Sequence, residues 1–104
     1  MGRTRYRYYW YGICTQLLKQ YPFEGDNSPM AGMTKQCIEN VLTDTAKLPN
    51  GDERVKVIEL VYLKKTDTIE GAALKVYASR RTVQRWLSSF IYALAKELGF
   101  QRRT

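Results

Sequence analysis

Apolar residues recur every three or four positions along most of this chain, and this helical repeat constrains the fold more than any other feature. The longest stretch lies near the C-terminus and consists of Val83, Trp86, Leu87, Phe90, Leu94 and Leu98. Ser79 precedes it as an N-cap, and Gly99 follows it where a helix end favours a left-handed residue. We therefore predict a helix of about twenty residues, about 30 Å long, with one buried face.

Two further helices are predicted in the first half of the chain. The first covers residues 8–21 and is ended by Pro22. Its apolar stripe is Trp10, Ile13, Cys14, Leu17, Leu18 and Tyr21. A polar loop over residues 23–28 follows, after which Ser28 caps and Pro29 opens the second helix. The apolar stripe of that helix is Met30, Met33, Cys37, Ile38, Val41 and Leu42.

Two shorter helices are predicted between this pair and the C-terminal helix. Residues 48–52 combine Pro, Asn and Gly and indicate a turn. The apolar segment after it contains Val55, Ile58, Leu60, Val61 and Leu63. Its branched residues would also suit a strand, but Asp52 as a cap, an early acid and late lysines favour a helix. Asp67, with Glu70 three residues later, predicts the start of a helix of about two turns.

Length and composition favour one small all-α domain. The chain has 104 residues, and 44% of them are hydrophobic, which suits a single core. No apolar run reaches the roughly 18 residues of a membrane span. The basic N-terminal stretch lacks the aliphatic segment of a signal peptide, so we expect it to belong to the mature protein. These features predict a cytoplasmic protein with no membrane association.

Residues suited to catalysis or metal binding are scarce. The chain contains no His, which is the usual base near neutral pH and the commonest metal ligand. Its two cysteines, Cys14 and Cys37, lack a C-x-x-C spacing and lie on apolar stripes, which indicates buried thiols. There is also no Gly-rich phosphate loop. We therefore expect neither an enzyme nor a bound metal or cofactor.

The net charge of +7 is concentrated at the two ends of the chain. Residues 1–11 carry Arg3, Arg5 and Arg7 and no acid. Residues 75–104 carry seven basic residues against one acid, whereas the stretch between the two ends holds seven bases and nine acids. A basic surface attracts polyanions, so the two ends are the candidate binding regions.

The spacing of apolar residues in the stretch 68–86 resembles the helix-turn-helix pattern of DNA-binding proteins. The apolar residues that can point into the angle between its two helices are Ile69, Ala73, Val76, Val83 and Trp86. In helix-turn-helix proteins an Ala of the first helix packs against a Val ten residues later, and Ala73 and Val83 have this spacing. The pattern usually has Gly four residues after the Ala. Tyr77 stands there, and an aromatic residue predicts a turn backbone that is not left-handed.

The exposed face of the second of these helices is basic and contains no acid. Its residues are Arg80, Arg81, Gln84, Arg85, Ser88 and Ser89. Arg can pair with O6 and N7 of guanine, and Gln with N6 and N7 of adenine, so the face suits the major groove of double-stranded DNA. The predicted base-reading residues are Arg80, Arg81, Gln84 and Arg85, and the predicted phosphate contacts are Ser79, Thr82, Ser88, Ser89 and Lys75. The alternative is a solvated surface helix, but such helices usually interleave Glu with Lys and Arg.

Residues 57–98 resemble the fourth region of bacterial sigma factors, with a leading helix, a short helix and a recognition helix that begins S-R-x-T-V. In length and layout the chain also resembles the small phage late-gene transcription activators of the RinA and ArpU type. This resemblance implies a phage or prophage regulator that binds a promoter in a bacterial or phage-infected cell, alongside host RNA polymerase.

Taken together, the patterns predict an all-α helical bundle of about five helices with a C-terminal helix-turn-helix like that of sigma region 4. The bundle forms a single domain over residues 1–104, in which residues 1–50 support the helix-turn-helix half over residues 51–104. The expected function is sequence-specific binding of double-stranded DNA, and a homodimer is one arrangement that the sequence leaves open.

The N-terminal arginines form a second candidate contact. Arg3, Arg5 and Arg7 alternate with tyrosines, and such a basic aromatic arm can stack on bases or enter a minor groove. The aromatic residues could equally dock on the bundle while the arginines stay in solvent.

Two other functions remain open at this point. The basic helix could bind an acidic surface of RNA polymerase or of another phage protein, as a protein-interaction module. It could also be the DNA-recognition part of a phage packaging protein, similar to a small terminase, which would assemble into a ring.

Overall fold

Helices account for all the regular structure in the part of the chain that the structure describes. The structure is a computed structural model and describes residues 9–21, 23, 25 and 27–100. Within these residues there are five helices and no strand, which confirms the all-α prediction. The helices are α1 (Tyr9–Gln20), α2 (Pro29–Ala46), α3 (Gly51–Ile58), α4 (Ile69–Lys75) and α5 (Arg80–Leu98). A π-helical segment, Glu59–Leu63, continues α3 directly.

Three of the predicted helix ends are confirmed. The hydroxyl of Ser28 accepts a hydrogen bond from the backbone N–H of Ala31 at 3.2 Å and caps α2. The hydroxyl of Ser79 accepts from the N–H of Thr82 at 3.1 Å and caps α5. Gly99 ends α5 with a φ of 93°. Both serine caps use residues only three positions apart, so they depend on local sequence alone.

The predicted cap of α3 is wrong. The helix begins at Gly51 instead, after Asn50, which has a φ of 60° and whose side chain makes no capping hydrogen bond. A Cβ on residue 51 would overlap the backbone carbonyl of Ala46, so glycine is what permits α3 to start this close to the end of α2. Asp52 consequently lies in the first helical turn, where its charge favours the N-terminal end of the helix dipole.

The predicted cap of α4 is wrong by one residue. Thr68 caps this helix, since its hydroxyl accepts from the N–H of Gly71 at 3.1 Å. Asp67 instead forms an ion pair with Lys75 at the other end of α4, with 3.2 Å between Nζ and Oδ2. The hydroxyl of Thr66 also donates to Asp67, at 2.9 Å. Asp and Thr are both good N-caps. Thr68 is the cap here, while Asp67 is engaged with Lys75 and Thr66.

The apolar segment after the turn is helical, as predicted, with Val57 and Ile58 buried. At the end of the π-helical segment the carbonyl of Leu60 accepts from the N–H groups of Thr66, at 3.0 Å, and Asp67, at 3.2 Å. These two bonds close the segment and direct the chain into α4.

Helix α5 is the centre of the fold, because it packs against each of the other four helices. Its buried residues are Val83, Leu87, Phe90, Ile91, Leu94 and Ala95. Of the predicted stripe, Trp86 and Leu98 are only partly buried. The other helices complete the same core cluster with Trp10, Cys14, Leu18, Ile38, Val41, Val57, Ile58, Ala72 and Ala73. One side of α5 is thereby held in the core, which leaves the opposite side to solvent.

The predicted stripe of α2 is wrong at its start. Met30 and Met33 are 70% and 65% exposed, and Ile13 of α1 is also exposed. The buried residues of α2 are Ala31, Thr34, Ile38, Val41 and Thr45. The hydroxyl of Thr34 donates to the carbonyl of Met30 at 2.9 Å, so it can be buried without an unpaired polar group. A prediction based on apolar residues alone therefore misses the buried face at the start of α2, because that face contains Thr34.

Candidate nucleic-acid interface

The connection between α4 and α5 has a left-handed residue at its centre. Tyr77 has a φ of 56°, so the prediction of a turn backbone that is not left-handed is wrong. The N–H of Tyr77 donates to the carbonyl of Leu74 at 3.3 Å, and the N–H of Ala78 donates to that of Ala73 at 3.0 Å. This pair of bonds is the Schellman arrangement, which requires a left-handed residue where Tyr77 lies. The ring is 96% exposed and meets no packing constraint.

The inner side of the corner between α4 and α5 is apolar. Ala73 is 5% exposed and Val83 is fully buried. Ile69, Val76 and Trp86 are partly buried and pack against the same core cluster. The guanidinium carbon of Arg54, on α3, also lies 5.7 Å from the ring centroid of Trp86. Buried contacts thus hold α4 and α5 in one relative orientation, and α3 supports them from behind.

The outer side of α5 carries the predicted base-reading residues. We call Arg80, Arg81, Gln84, Arg85, Ser88 and Ser89 the α5 basic face. Three of its members, Arg81, Gln84 and Arg85, are exposed and form no side-chain hydrogen bond or ion pair with any described residue. They line an open depression of about 450 Å³ together with Ser88, Ser89 and Tyr92. The side chains of Arg81, Gln84 and Arg85 are therefore available to an external ligand.

Arg80 differs from the rest of the α5 basic face because it has an acidic partner. Its Nε lies 2.6 Å from Oε2 of Glu70, in the first turn of α4. Both side chains are more than half exposed, at 57% for Arg80 and 61% for Glu70. The α5 basic face therefore has an acidic neighbour that the sequence of α5 alone does not show.

Most of the predicted phosphate contacts have internal partners. Ser79 caps α5, and its hydroxyl also donates to Oγ1 of Thr82 at 3.0 Å. Ser88 shares a hydrogen bond of 3.1 Å with the hydroxyl of Tyr11 on α1. Lys75 is paired with Asp67. Ser89 is exposed and forms no such bond with the described residues. Of this predicted set, Ser89 is the one whose hydroxyl is available without exchanging a partner.

An aromatic cluster borders the C-terminal end of the α5 basic face. Trp10 is 4% exposed, and its ring lies edge-on to Tyr92 with 5.4 Å between centroids. Tyr11 meets the same ring at 6.0 Å, and Tyr9 meets Phe100 at 6.4 Å. The start of α1 therefore packs against α5. The candidate arm residues Arg3, Arg5 and Arg7 lie outside the described residues.

Sequence reasoning missed two residues next to the α5 basic face, Glu70 and Tyr92. Tyr92 lies four residues after Ser88 and seven after Arg85, so helical spacing alone would have placed it on this side of α5. Glu70 had no comparable signal, because its proximity to Arg80 depends on how α4 crosses α5.

The prediction of two buried thiols is confirmed for Cys14 only, because Cys37 is partly buried at the edge of the core cluster. Cys14 is fully buried, and burial raises the pKa of its thiol to about 11. Cys37 is partly buried, and burial, followed by the charge of Glu97, raises the pKa of its thiol as well. In both cases the shift favours the protonated thiol, which is a weaker nucleophile than the thiolate.

Among the described residues there is neither a candidate metal-binding cluster nor a candidate membrane-spanning helix. No three side chains of His, Cys, Asp or Glu among them lie close enough together to hold a metal ion. No helix formed by these residues is both long enough and apolar enough to cross a membrane.

Comparisons with protein-family models, with curated proteins and with solved structures found no match to this chain.

Proposed function

We propose that this protein binds double-stranded DNA in a sequence-specific manner and regulates a phage or prophage promoter. In this proposal α4, the connection through Tyr77 and α5 form a helix-turn-helix, and α5 enters the major groove. The observation that carries the proposal is the row of Arg81, Gln84 and Arg85, which are exposed and have no partner among the described residues, on one side of a helix whose other side is buried. The promoter role is supported by the resemblance of residues 57–98 to sigma region 4, and by the resemblance of the chain in length and layout to the RinA and ArpU activators.

The chemistry of the row suits base edges. A guanidinium group can donate two hydrogen bonds to O6 and N7 of guanine, and a carboxamide can pair with N6 and N7 of adenine. Positions 81, 84, 85 and 88 share one side of an α-helix because they are three or four residues apart. One helix can therefore present Arg81, Gln84 and Arg85 to adjacent base pairs.

Rigidity supports the same proposal. Side chains that read bases need a fixed register, and α5 is held by six buried residues along its length. The N-terminal end of α5, with Ser79 and Thr82, provides hydroxyls and backbone N–H groups where a phosphate would be favourable. The two hydroxyls are hydrogen-bonded to each other, so a phosphate would have to share them or bind backbone N–H groups of the first turn.

The direct test is selection of bound sequences from random duplexes, followed by titrations at several salt concentrations. We expect a preferred sequence, and a slope of log K against log salt of about −5 if about six phosphates are neutralised. Arg85→Ala should cost about 1–3 kcal/mol at one base pair and relax the preference there. The control is Lys96→Ala, which removes one exposed positive charge from the last turn of α5 and should leave the preference unchanged.

Other outcomes favour the alternative functions. Equal competition by preferred and random duplexes, or a binding isotherm that does not change with salt, contradicts sequence-specific DNA binding and favours a protein-interaction module. A sedimentation mass well above that of a dimer favours a packaging protein. The regulatory role is tested with a reporter promoter next to the preferred sequence, whose expression should change when the protein is supplied.

A further inference from the structure

One ion pair joins the two helices of the proposed helix-turn-helix across their exposed sides. Glu70 belongs to the first turn of α4 and Arg80 is the first residue of α5, and Nε and Oε2 lie 2.6 Å apart. The other ion pair among the described residues joins Asp67, which precedes the Thr68 cap, to Lys75 at the end of α4 and does not reach α5.

This ion pair is not needed to hold the two helices together. Both side chains are more than half exposed, and exposed ion pairs contribute at most about 1 kcal/mol to stability. The inner side of the corner is already closed by Ala73 and Val83, which are 5% and 0% exposed. The pair does restrict Arg80, and a free arginine side chain loses up to about 2 kcal/mol of conformational entropy when it is immobilised.

The position of the carboxylate matters for what Arg80 can bind. The closest approach is at Nε, whereas the two terminal NH₂ groups of a guanidinium form the edge that pairs with O6 and N7 of guanine. A carboxylate at Nε can therefore fix the plane of the guanidinium while that edge points away from it. The negative charge of Glu70 also disfavours a nearby phosphate, so it opposes contacts of Arg80 with the DNA backbone.

From this geometry we infer that Glu70 is a positioning residue that orients Arg80 to read a guanine. The inference rests on the proposed function and adds to it a base for Arg80 and a role for an acidic residue in a basic site. Because Arg80 is held before the DNA arrives, less entropy is lost on binding guanine than with an unrestrained arginine. Glu70 thus increases discrimination between sequences and lowers affinity for DNA in general.

The experiment measures dissociation constants for the preferred duplex, for all of its single base-pair variants and for a random duplex. The proteins are wild type, Glu70→Gln, Arg80→Ala, the double variant and Glu97→Gln. Glu97 is a matched control because it is also an exposed carboxylate. It lies in the last turn of α5, about 25 Å along the helix from Arg80 at 1.5 Å per residue. Circular dichroism checks that each variant keeps its helical content.

We expect Arg80→Ala to lose about 5- to 150-fold of discrimination at one G·C pair. Glu70→Gln should lose about two- to fivefold at the same pair, while its affinity for random duplex rises. In the Arg80→Ala background, Glu70→Gln should have no further effect on discrimination. Glu97→Gln should leave discrimination at every position as in wild type.

Three results would overturn the inference. One is a change in Glu70→Gln that is the same for all sequences, as in Glu97→Gln, because it would show an effect of net charge only. Another is a loss of discrimination that persists without Arg80. The third is a loss at a pair that Arg80→Ala does not affect. If wild type has no sequence preference at all, the proposed function itself fails, and this inference fails with it.

Discussion

Helices α4 and α5 end with the same backbone arrangement but with different residues. Each is followed by a left-handed residue, Tyr77 with a φ of 56° after α4 and Gly99 with a φ of 93° after α5. That residue and the next one donate their N–H groups to the last turn of the helix. After α4, Tyr77 donates to the carbonyl of Leu74 at 3.3 Å and Ala78 to that of Ala73 at 3.0 Å. After α5, Gly99 donates to the carbonyl of Lys96 at 3.1 Å and Phe100 to that of Ala95 at 2.8 Å.

The difference shows two ways of stabilising one turn. Glycine adopts the left-handed conformation with no steric cost, so the end of α5 follows from its own residue. A residue with a Cβ pays roughly 1–2 kcal/mol there, so the turn at Tyr77 needs stabilisation from elsewhere. Ala73, in the last turn of α4, and Val83, in α5, are both buried, so tertiary packing on either side of the turn can supply it.

The largest effect is expected from breaking the packing next to Tyr77. Ala73→Glu places a carboxylate between α4 and α5 at a position that is 5% exposed. An unpaired buried charge should lower the free energy of unfolding by about 3 kcal/mol or more. Urea unfolding followed by circular dichroism measures this. Leu74→Glu, at a neighbouring residue that is 77% exposed, should stay within about 0.5 kcal/mol of wild type. A wild-type midpoint for Ala73→Glu would show that residue 73 is not in the core.

The second test adds a Cβ at the end of α5. Gly99→Ala should destabilise the fold by about 1 kcal/mol, because the left-handed backbone becomes strained although the new Cβ has no atom within 4 Å. Gly32→Ala is the matched control, since it also has open space but lies inside α2. It should stabilise by about 0.5–1 kcal/mol through helix propensity. Two shifts of the same sign in the urea midpoint would contradict this explanation.

The third test makes the end of α4 like the end of α5. Tyr77→Gly should raise the free energy of unfolding by about 0.5–1 kcal/mol, because it removes the steric cost and the lost ring is 96% exposed. Tyr77→Ala keeps the Cβ and should give little or no gain. Thermal unfolding of the two variants measures the difference. A lower melting temperature for Tyr77→Gly would mean that the ring contributes contacts in solution.

The smallest effect concerns the start of α4. Hydrogen bonds from Thr66 and Lys75, and the charge of Lys75, lower the pKa of Asp67 below its ordinary value of about 4. Because the folded-state pKa is the lower one, this contribution to stability is complete above about pH 4 and is lost as the pH falls further. The free energy of unfolding, measured with urea, should therefore fall less between pH 7 and pH 3 for Asp67→Asn than for wild type. Asp44 is an exposed carboxylate in α2, so Asp44→Asn should show the same loss of stability between the two pH values as wild type.

The sequence contained the parts of the fold that depend on neighbouring residues. The caps at Ser28 and Ser79 were predictable because the donor lies three positions along the chain. The left-handed end at Gly99 was predictable because glycine prefers it. The exposed side of α5 was predictable because a helical repeat that places one side in the core leaves the other in solvent.

Tertiary structure decided the rest. Helix α2 turns Met30 outward and Thr34 inward because a hydroxyl that bonds its own helix can be buried like an apolar group. Ser88 meets Tyr11, which is 77 residues away, and no local pattern records such a contact.

The same division applies within the candidate site. The row of Arg81, Gln84 and Arg85 can be read from the sequence of a single helix. The ion pair of Glu70 with Arg80 exists only because α4 crosses α5 at the corner through Tyr77. Sequence alone therefore determined which groups α5 offers to a ligand, whereas the packing of α4 and α1 against α5 decided that Arg80 and Ser88 already have a partner.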